Sequence, residues 1–125
     1  MLGVDAVEIA RIRELADADS GEKFLQRVFT AGELAYCKPK GKCKYDSLAA
    51  RFAVKEAVGK ALGVGVLTEL DLTDIEVVND HKGKPEVVLR GRALALAGEK
   101  NIAGFEISLT HTSAMSIAVA LARKG

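Results

Sequence analysis

The stretch RFAVKEAVGKALG, Arg51 to Gly63, decides how the rest of the chain is read. At about 100° per residue, Ala50, Ala53, Val54, Ala57 and Ala61 fall on one side, a small-residue face suited to close approach against a sheet. Asp46 or Ser47 stands where a helix would be capped, the helix runs to about Leu62, and Gly63 and Gly65 end it. Arg51 and Lys55 share a second side. Glu56 and Lys60 share a third, roughly opposite the Arg51 edge, and Gly59, Gly63 and Phe52 lie between the charged edges. Glu56 ahead of Lys60 is the favourable order for a helix pair, whereas the like-charged Arg51–Lys55 pair costs roughly a few tenths of a kcal/mol. Gly59 costs up to about 1 kcal/mol against alanine. A helix that accepts both penalties makes room for an anion or simply presents a solvated face, and from this segment alone the solvated face is the stronger reading.

Outward from this helix the pattern is mixed. LGVDAV reads as a short first strand, Glu8 to Leu15 as a turn of helix and GEKFLQRVF as a second helix. Thr30 with Glu33 has the form of a capping box for the next helix. CKPKGKCKYD reads as a loop. DIEVVND and KPEVVLR flank DHKG as a hairpin, GRALALAGEKN is helical, and GFEISLTHT and MSIAVALA are two more strands joined by a tight turn at Thr112 to Ala114. This order predicts an α+β fold with a mainly antiparallel sheet, and a chain of 125 residues predicts one domain over residues 1–125.

Composition bounds the function. The net charge of +1 is too balanced for a general nucleic-acid binder. Asp5 and Glu8 interrupt what would have to be a signal-peptide core, and no apolar run approaches the ~18 residues of a bilayer span, so a cytoplasmic protein with no membrane partner is expected. Cys37 and Cys43 match neither a zinc nor a redox spacing and read as free thiols. On residues alone Asp5 reads best as a strand-end turn or helix cap, and a lone strand histidine such as His111 as a hydrogen-bonded structural residue. His81, in the hairpin turn, reads as solvated.

Three blocks change the weighing when taken together. GVDAVEIARI (Gly3–Ile12) has Gly-x-Asp with an arginine six residues on. RFAVKEAVGKALG has the form F-x-x-K-E-A-x-x-K-A-x-G. ISLTHT (Ile107–Thr112) is a strand ending in Thr-His-Thr. In this order they resemble the holo-acyl-carrier-protein synthases, the short bacterial-type branch of the 4′-phosphopantetheinyl transferases. GKP, Gly83 to Pro85, looks like that family's hairpin turn. The blocks cover about a quarter of the residues.

The resemblance implies a 4′-phosphopantetheinyl transferase-like fold, a sheet packed against a long central helix. It implies Mg²⁺-dependent transfer of 4′-phosphopantetheine from coenzyme A to a serine of apo acyl-carrier protein, with release of adenosine 3′,5′-bisphosphate, in fatty acid biosynthesis. Asp5 and Glu56 become the expected metal carboxylates, since Mg²⁺ takes hard oxygens from one or two carboxylates plus phosphate and water. Lys60, paired with Glu56, is expected against the diphosphate. Arg51 and Lys55 are expected on other phosphates of coenzyme A, where a polyanion would turn their repulsion into attraction. Gly83, Lys84, Pro85 and His111 join the coenzyme A site, and His111 there orients coenzyme A or the incoming serine. The serine proton passes to Asp5 or Glu56, directly or through water. Glu8 is a possible water-mediated ligand, although an exposed first-turn acid is the stronger reading. Arg11, Arg13 and Arg27 are expected to meet the acidic carrier. The basic loop Lys38–Lys44 reads equally as a solvated loop or as a contact to the carrier or the coenzyme A 3′-phosphate. A homotrimer with active sites between subunits is implied.

Two other classes stay open on the sequence. One is a non-catalytic oligomeric module binding an acidic partner. The other is a different Mg²⁺ nucleotide enzyme such as a pyrophosphate hydrolase, which would want a glycine-rich phosphate loop or a denser acidic cluster than this sequence holds.

Overall fold

A helix from Lys44 to Leu62 (α4) runs through the middle of the molecule and is buried on nearly every side. The structure is a computed structural model and describes residues 1–64 and 69–125. Ahead of α4 lie β1 (Leu2–Glu8), α1 (Ile9–Asp17), α2 (Gly21–Val28) and α3 (Ala31–Cys37). After it come β2 (Ile75–Asn79), β3 (Pro85–Leu89), α5 (Gly91–Glu99), β4 (Ile102–His111) and β5 (Met115–Lys124). The strands form two antiparallel sheets, β1-β5-β4 and the hairpin β2-β3. The expected α+β class and the antiparallel pairing stand, but the hairpin is a sheet of its own.

The small face of α4 lies on the three-stranded sheet. Gly3 is where strand and helix backbones come closest: a Cβ there would stand 1.9 Å from the carbonyl oxygen of Ala57. Only glycine permits this approach, and alternation along β1 then turns Asp5 toward the same helix. The helix side of β5 is likewise small, with Ser116, Ala118 and Ala120 all buried.

Three local expectations change. The helix begins at Lys44, after two 3₁₀ turns at Lys38–Cys43, so Cys43 holds the cap position and neither Asp46 nor Ser47 caps it. The lysine run is thus helical rather than an irregular loop. Strand β1 continues through Glu8, so Glu8 and Asp5, three apart, point to opposite faces and cannot share a ligand. Gly63 ends α4 in the left-handed conformation, while the second expected terminator, Gly65, lies outside the described residues. The capping box forms as expected: Thr30 Oγ1 accepts from Glu33 N at 3.1 Å, and Glu33 Oε1 accepts from Thr30 N at 2.9 Å. Both cysteines are free, and burial raises the Cys37 pKa.

Candidate active site

Two clusters occupy opposite sides of α4. The first lies against β1. Lys60 Nζ donates to Asp5 Oδ1 and to the Val4 carbonyl, each at 3.1 Å. Glu56, half-buried, has its pKa raised by burial and by the negative charge of Asp5, and Lys60 partly offsets this. Asp5 and Glu56, remote in sequence, therefore feel each other's charge. The expected Glu56–Lys60 helix pair is not what Lys60 makes; its ammonium goes to the strand.

This donor set fits Mg²⁺. Two carboxylates supply hard oxygens whose mutual repulsion a divalent cation would relieve. No group of three or more Asp, Glu, His or Cys gathers anywhere among the described residues. A two-carboxylate site leaves coordination positions for water and phosphate oxygens, as magnesium prefers when it bridges protein and phosphate.

The second cluster is a cavity of about 340 Å³ between α4, the hairpin and the end of β4, lined among others by Tyr36, Lys40, Arg51, Asn79, Pro85 and His111. Lys40, Asp46 and Arg51 are its charged lining, and of these Arg51 is the buried one. The guanidinium donates to Asn79 Oδ1 at 2.6 Å and Ser47 Oγ at 3.2 Å and stacks over Tyr36, 4.2 Å from the ring centroid. All three partners are neutral, and Arg51 Nε has none among the described residues. A buried cation with only neutral partners is poised for an anion. Gly83 also lines this cavity. Its φ of 84° closes the hairpin turn, with Gly83 N donating to Asp80 O at 2.9 Å. His111 is exposed at the end of β4, opposite Ser116.

Two residues expected at coenzyme A do not line the Arg51 cavity. Lys55 is fully buried: Nζ pairs with Glu33 Oε1 at 2.8 Å and donates to the carbonyls of Leu72 and Ile75. With its donors spent inside the protein, Lys55 is a structural cation and not a phosphate ligand; burial lowers its pKa and Glu33 opposes the shift. Lys84 is exposed and lines a different recess with Glu86, Glu106 and Arg123. The pattern also missed Tyr36, Asn79 and Ser47. Asn79 stands 28 residues from Arg51, and no spacing rule joins them.

Arg11 and Arg13 are exposed on α1, and Arg27 is exposed in the last turn of α2. The lysine run is divided. Lys40 sits over Tyr36 at 4.4 Å on the cavity, whereas Lys44 and Arg13 both sit over Tyr45, at 5.0 and 4.9 Å.

The family model described as the 4′-phosphopantetheinyl transferase superfamily matches residues 1–120. The chain belongs to that superfamily. It is 40% identical over 125 residues to the holo-[acyl-carrier-protein] synthase of Ruminiclostridium cellulolyticum, covering 100% of this chain and 92% of that one. It is 42% identical to the Cytophaga hutchinsonii synthase, covering 98% and 96%. Among solved structures, the Helicobacter pylori holo-[acyl-carrier-protein] synthase in complex with coenzyme A matches with a TM-score of 0.84 at 34% identity, covering 98% of this chain and 100% of that one. The Neisseria meningitidis synthase matches at 0.85 and 33%, covering 98% and 97%. The expected transferase fold is therefore established, and so is the enzyme class of the holo-acyl-carrier-protein synthases. No helix among the described residues is long and apolar enough to cross a membrane.

Proposed function

We propose that the protein transfers 4′-phosphopantetheine from coenzyme A to a serine of apo acyl-carrier protein, as a cytoplasmic, Mg²⁺-dependent step serving fatty acid biosynthesis. The observation that supports this reading is Lys60 bonded to Asp5 at 3.1 Å, with Glu56 near enough to feel the Asp5 charge. The serine oxygen attacks the phosphorus that bears pantetheine. The bond from that phosphorus to the bridging oxygen breaks, and adenosine 3′,5′-bisphosphate leaves. The serine proton goes to Asp5 or Glu56, directly or through water. Such a transfer demands mainly positioning and neutralisation of charge. Bound at Asp5 and Glu56, the metal would supply a share of that neutralisation on the diphosphate. Lys60 lies where it can take up charge on the leaving phosphate. Arg51, short of an anionic partner, receives a phosphate of coenzyme A in the cavity, with His111, Gly83, Pro85 and Lys40 around the nucleotide. Arg11, Arg13 and Arg27, joined by Lys44, meet the acidic carrier, an attraction that salt should weaken.

The assembly belongs to the same proposal. Arg51 and Lys60 lie about 180° apart around α4, and none of Asp5, Glu56 and Lys60 lines the Arg51 cavity. One chain thus keeps its acids and its nucleotide cavity apart. The outer face of the three-stranded sheet leaves Leu2 64%, Val4 54% and Leu121 49% exposed, side by side across β1 and β5. Such a contiguous apolar surface is suited to burial against other copies. A homotrimer in which the acids of one subunit face the cavity of the next accounts for both features.

Mass spectrometry of apo carrier protein incubated with coenzyme A, Mg²⁺ and the protein tests the reaction. A phosphopantetheine mass gain on the serine is expected. A stable complex without mass gain would favour the binding module, and phosphate or pyrophosphate release without carrier would favour hydrolysis.

A further inference from the structure

We propose that Lys60 is the resident counter-cation of the carboxylate pair: its ammonium holds Asp5 in the absence of metal and is exchanged for a divalent cation at the same oxygen. The inference rests on the metal reading of Asp5 and Glu56 given above.

The geometry separates a fixed partner from a movable one. Asp5 is fixed. Its strand is paired to Ala118 of β5 and pressed onto α4 at Gly3, and its side chain is only 17% exposed. Lys60 is movable, for its side chain is 55% exposed and reaches back to Asp5 from solvent. Its nearer acid in sequence, Glu56, is passed over, and the ammonium has settled on the Asp5 carboxylate and the Val4 carbonyl, within the field of the Glu56 charge. That is also the point a divalent cation requires. At the roughly 4–5 Å that would separate them on one carboxylate oxygen, the repulsion between a dication and an ammonium outweighs the ammonium's own attraction to that oxygen but not the dication's, so the ammonium is the one displaced. Lys60 therefore weakens metal binding to the free protein. Once displaced, its flexible four-carbon stem leaves the charge free for an anion next to the metal. An anionic substrate that takes the ammonium removes the competitor, so metal and diphosphate each strengthen the other's binding, and by the same factor.

The test is a Mn²⁺ titration of the coenzyme-A-free protein, read by loss of the free-ion electron paramagnetic resonance signal, with circular dichroism to confirm folding of each variant. Lys60→Gln should bind Mn²⁺ about three- to ten-fold more tightly than the wild type, the scale expected for removing one partly exposed charge beside a dication. Lys60→Arg keeps the charge and should stay near the wild-type affinity, which separates charge from bulk. Asp5→Asn should lose at least about ten-fold. Unchanged or weaker Mn²⁺ binding by Lys60→Gln, with binding still dependent on Asp5, would overturn the counter-cation role and leave the metal site standing. Wild-type binding by Asp5→Asn would instead refute the metal site itself, and this inference with it.

Discussion

Replacing Lys55 by methionine should unfold this protein far more readily while leaving its affinity for coenzyme A intact. Lys55 Nζ is the only positive charge placed on the buried Glu33 carboxylate among the described residues, at 2.8 Å, and both side chains are fully enclosed. Removing one member of such a pair costs about 3–5 kcal/mol, chiefly because the surviving charge is stranded. Glu33 keeps two backbone donors, Thr30 N and Val77 N, each at 2.9 Å. That retained solvation places the loss near the lower end, about 3 kcal/mol. With a urea m-value of about 2 kcal/mol/M, the midpoint should fall by about 1.5 M at fixed protein concentration, without a change in m. The double variant Lys55→Met/Glu33→Gln removes both charges and should cost less than the sum of the single changes, with a coupling of about 2 kcal/mol. Equilibrium unfolding followed by circular dichroism measures the midpoints, and calorimetric titration of the folded variant measures coenzyme A. A midpoint shift under about 0.5 M, combined with a ten-fold loss of coenzyme A affinity, would refute the reasoning and return Lys55 to the phosphates.

Asp5→Asn and Glu56→Gln should each lower transfer by about a hundred-fold or more while leaving the unfolding free energy within about 0.5 kcal/mol of wild type, since neither removes core packing; single-turnover assays and unfolding curves check both halves. Gly3→Ala should cost about 1–3 kcal/mol by forcing β1 away from the Ala57 carbonyl, and the displaced Asp5 should lower transfer as well. The Thr30 hydroxyl and Arg90 hold the Glu76 pKa below its ordinary value of 4.5. Its contribution is present above pH 4.5 and lost as pH falls through the lower folded value, because the unfolded chain takes up the proton first; Glu76→Gln should flatten the acid limb of stability against pH. If the proposed trimer forms through the open sheet face, Val4→Glu should dissociate it, visible as a smaller particle in analytical ultracentrifugation.

The elements that announce themselves locally were legible in the sequence. The hairpin around DHKG, the Thr30–Glu33 box and the Gly63 terminator each depend on a few adjacent residues, and each forms. What the helical wheel of α4 could not supply was which of its sides the rest of the chain covers. It placed Lys55 on a charged edge, yet α3 and β2 close over that edge and convert it to core. The cap alone accounts for Glu33 locally, and no adjacent residue signals that its second oxygen accepts from Val77 N. Lys60 likewise had a plausible partner four residues back, and the fold offered Asp5 from a strand 55 positions earlier. The cap of α4 was misplaced because 3₁₀ turns lead into it without the extended residue that a capping side chain needs.

The pairing of β1 with β5 sets a schedule for the protein's birth. Val7 meets Ser116, and Asp5 lies against Ala118, so the first strand made must wait for the last. At about 5–20 residues per second, a ribosome leaves that strand without its edge for several seconds. During that interval α4 has no sheet to lie on, and its alanines and valines are open to other nascent chains or to a chaperone. Cutting the C-terminal strand back past Ala118 would therefore do more than trim an edge, because it would deny Asp5 the backbone that aims it.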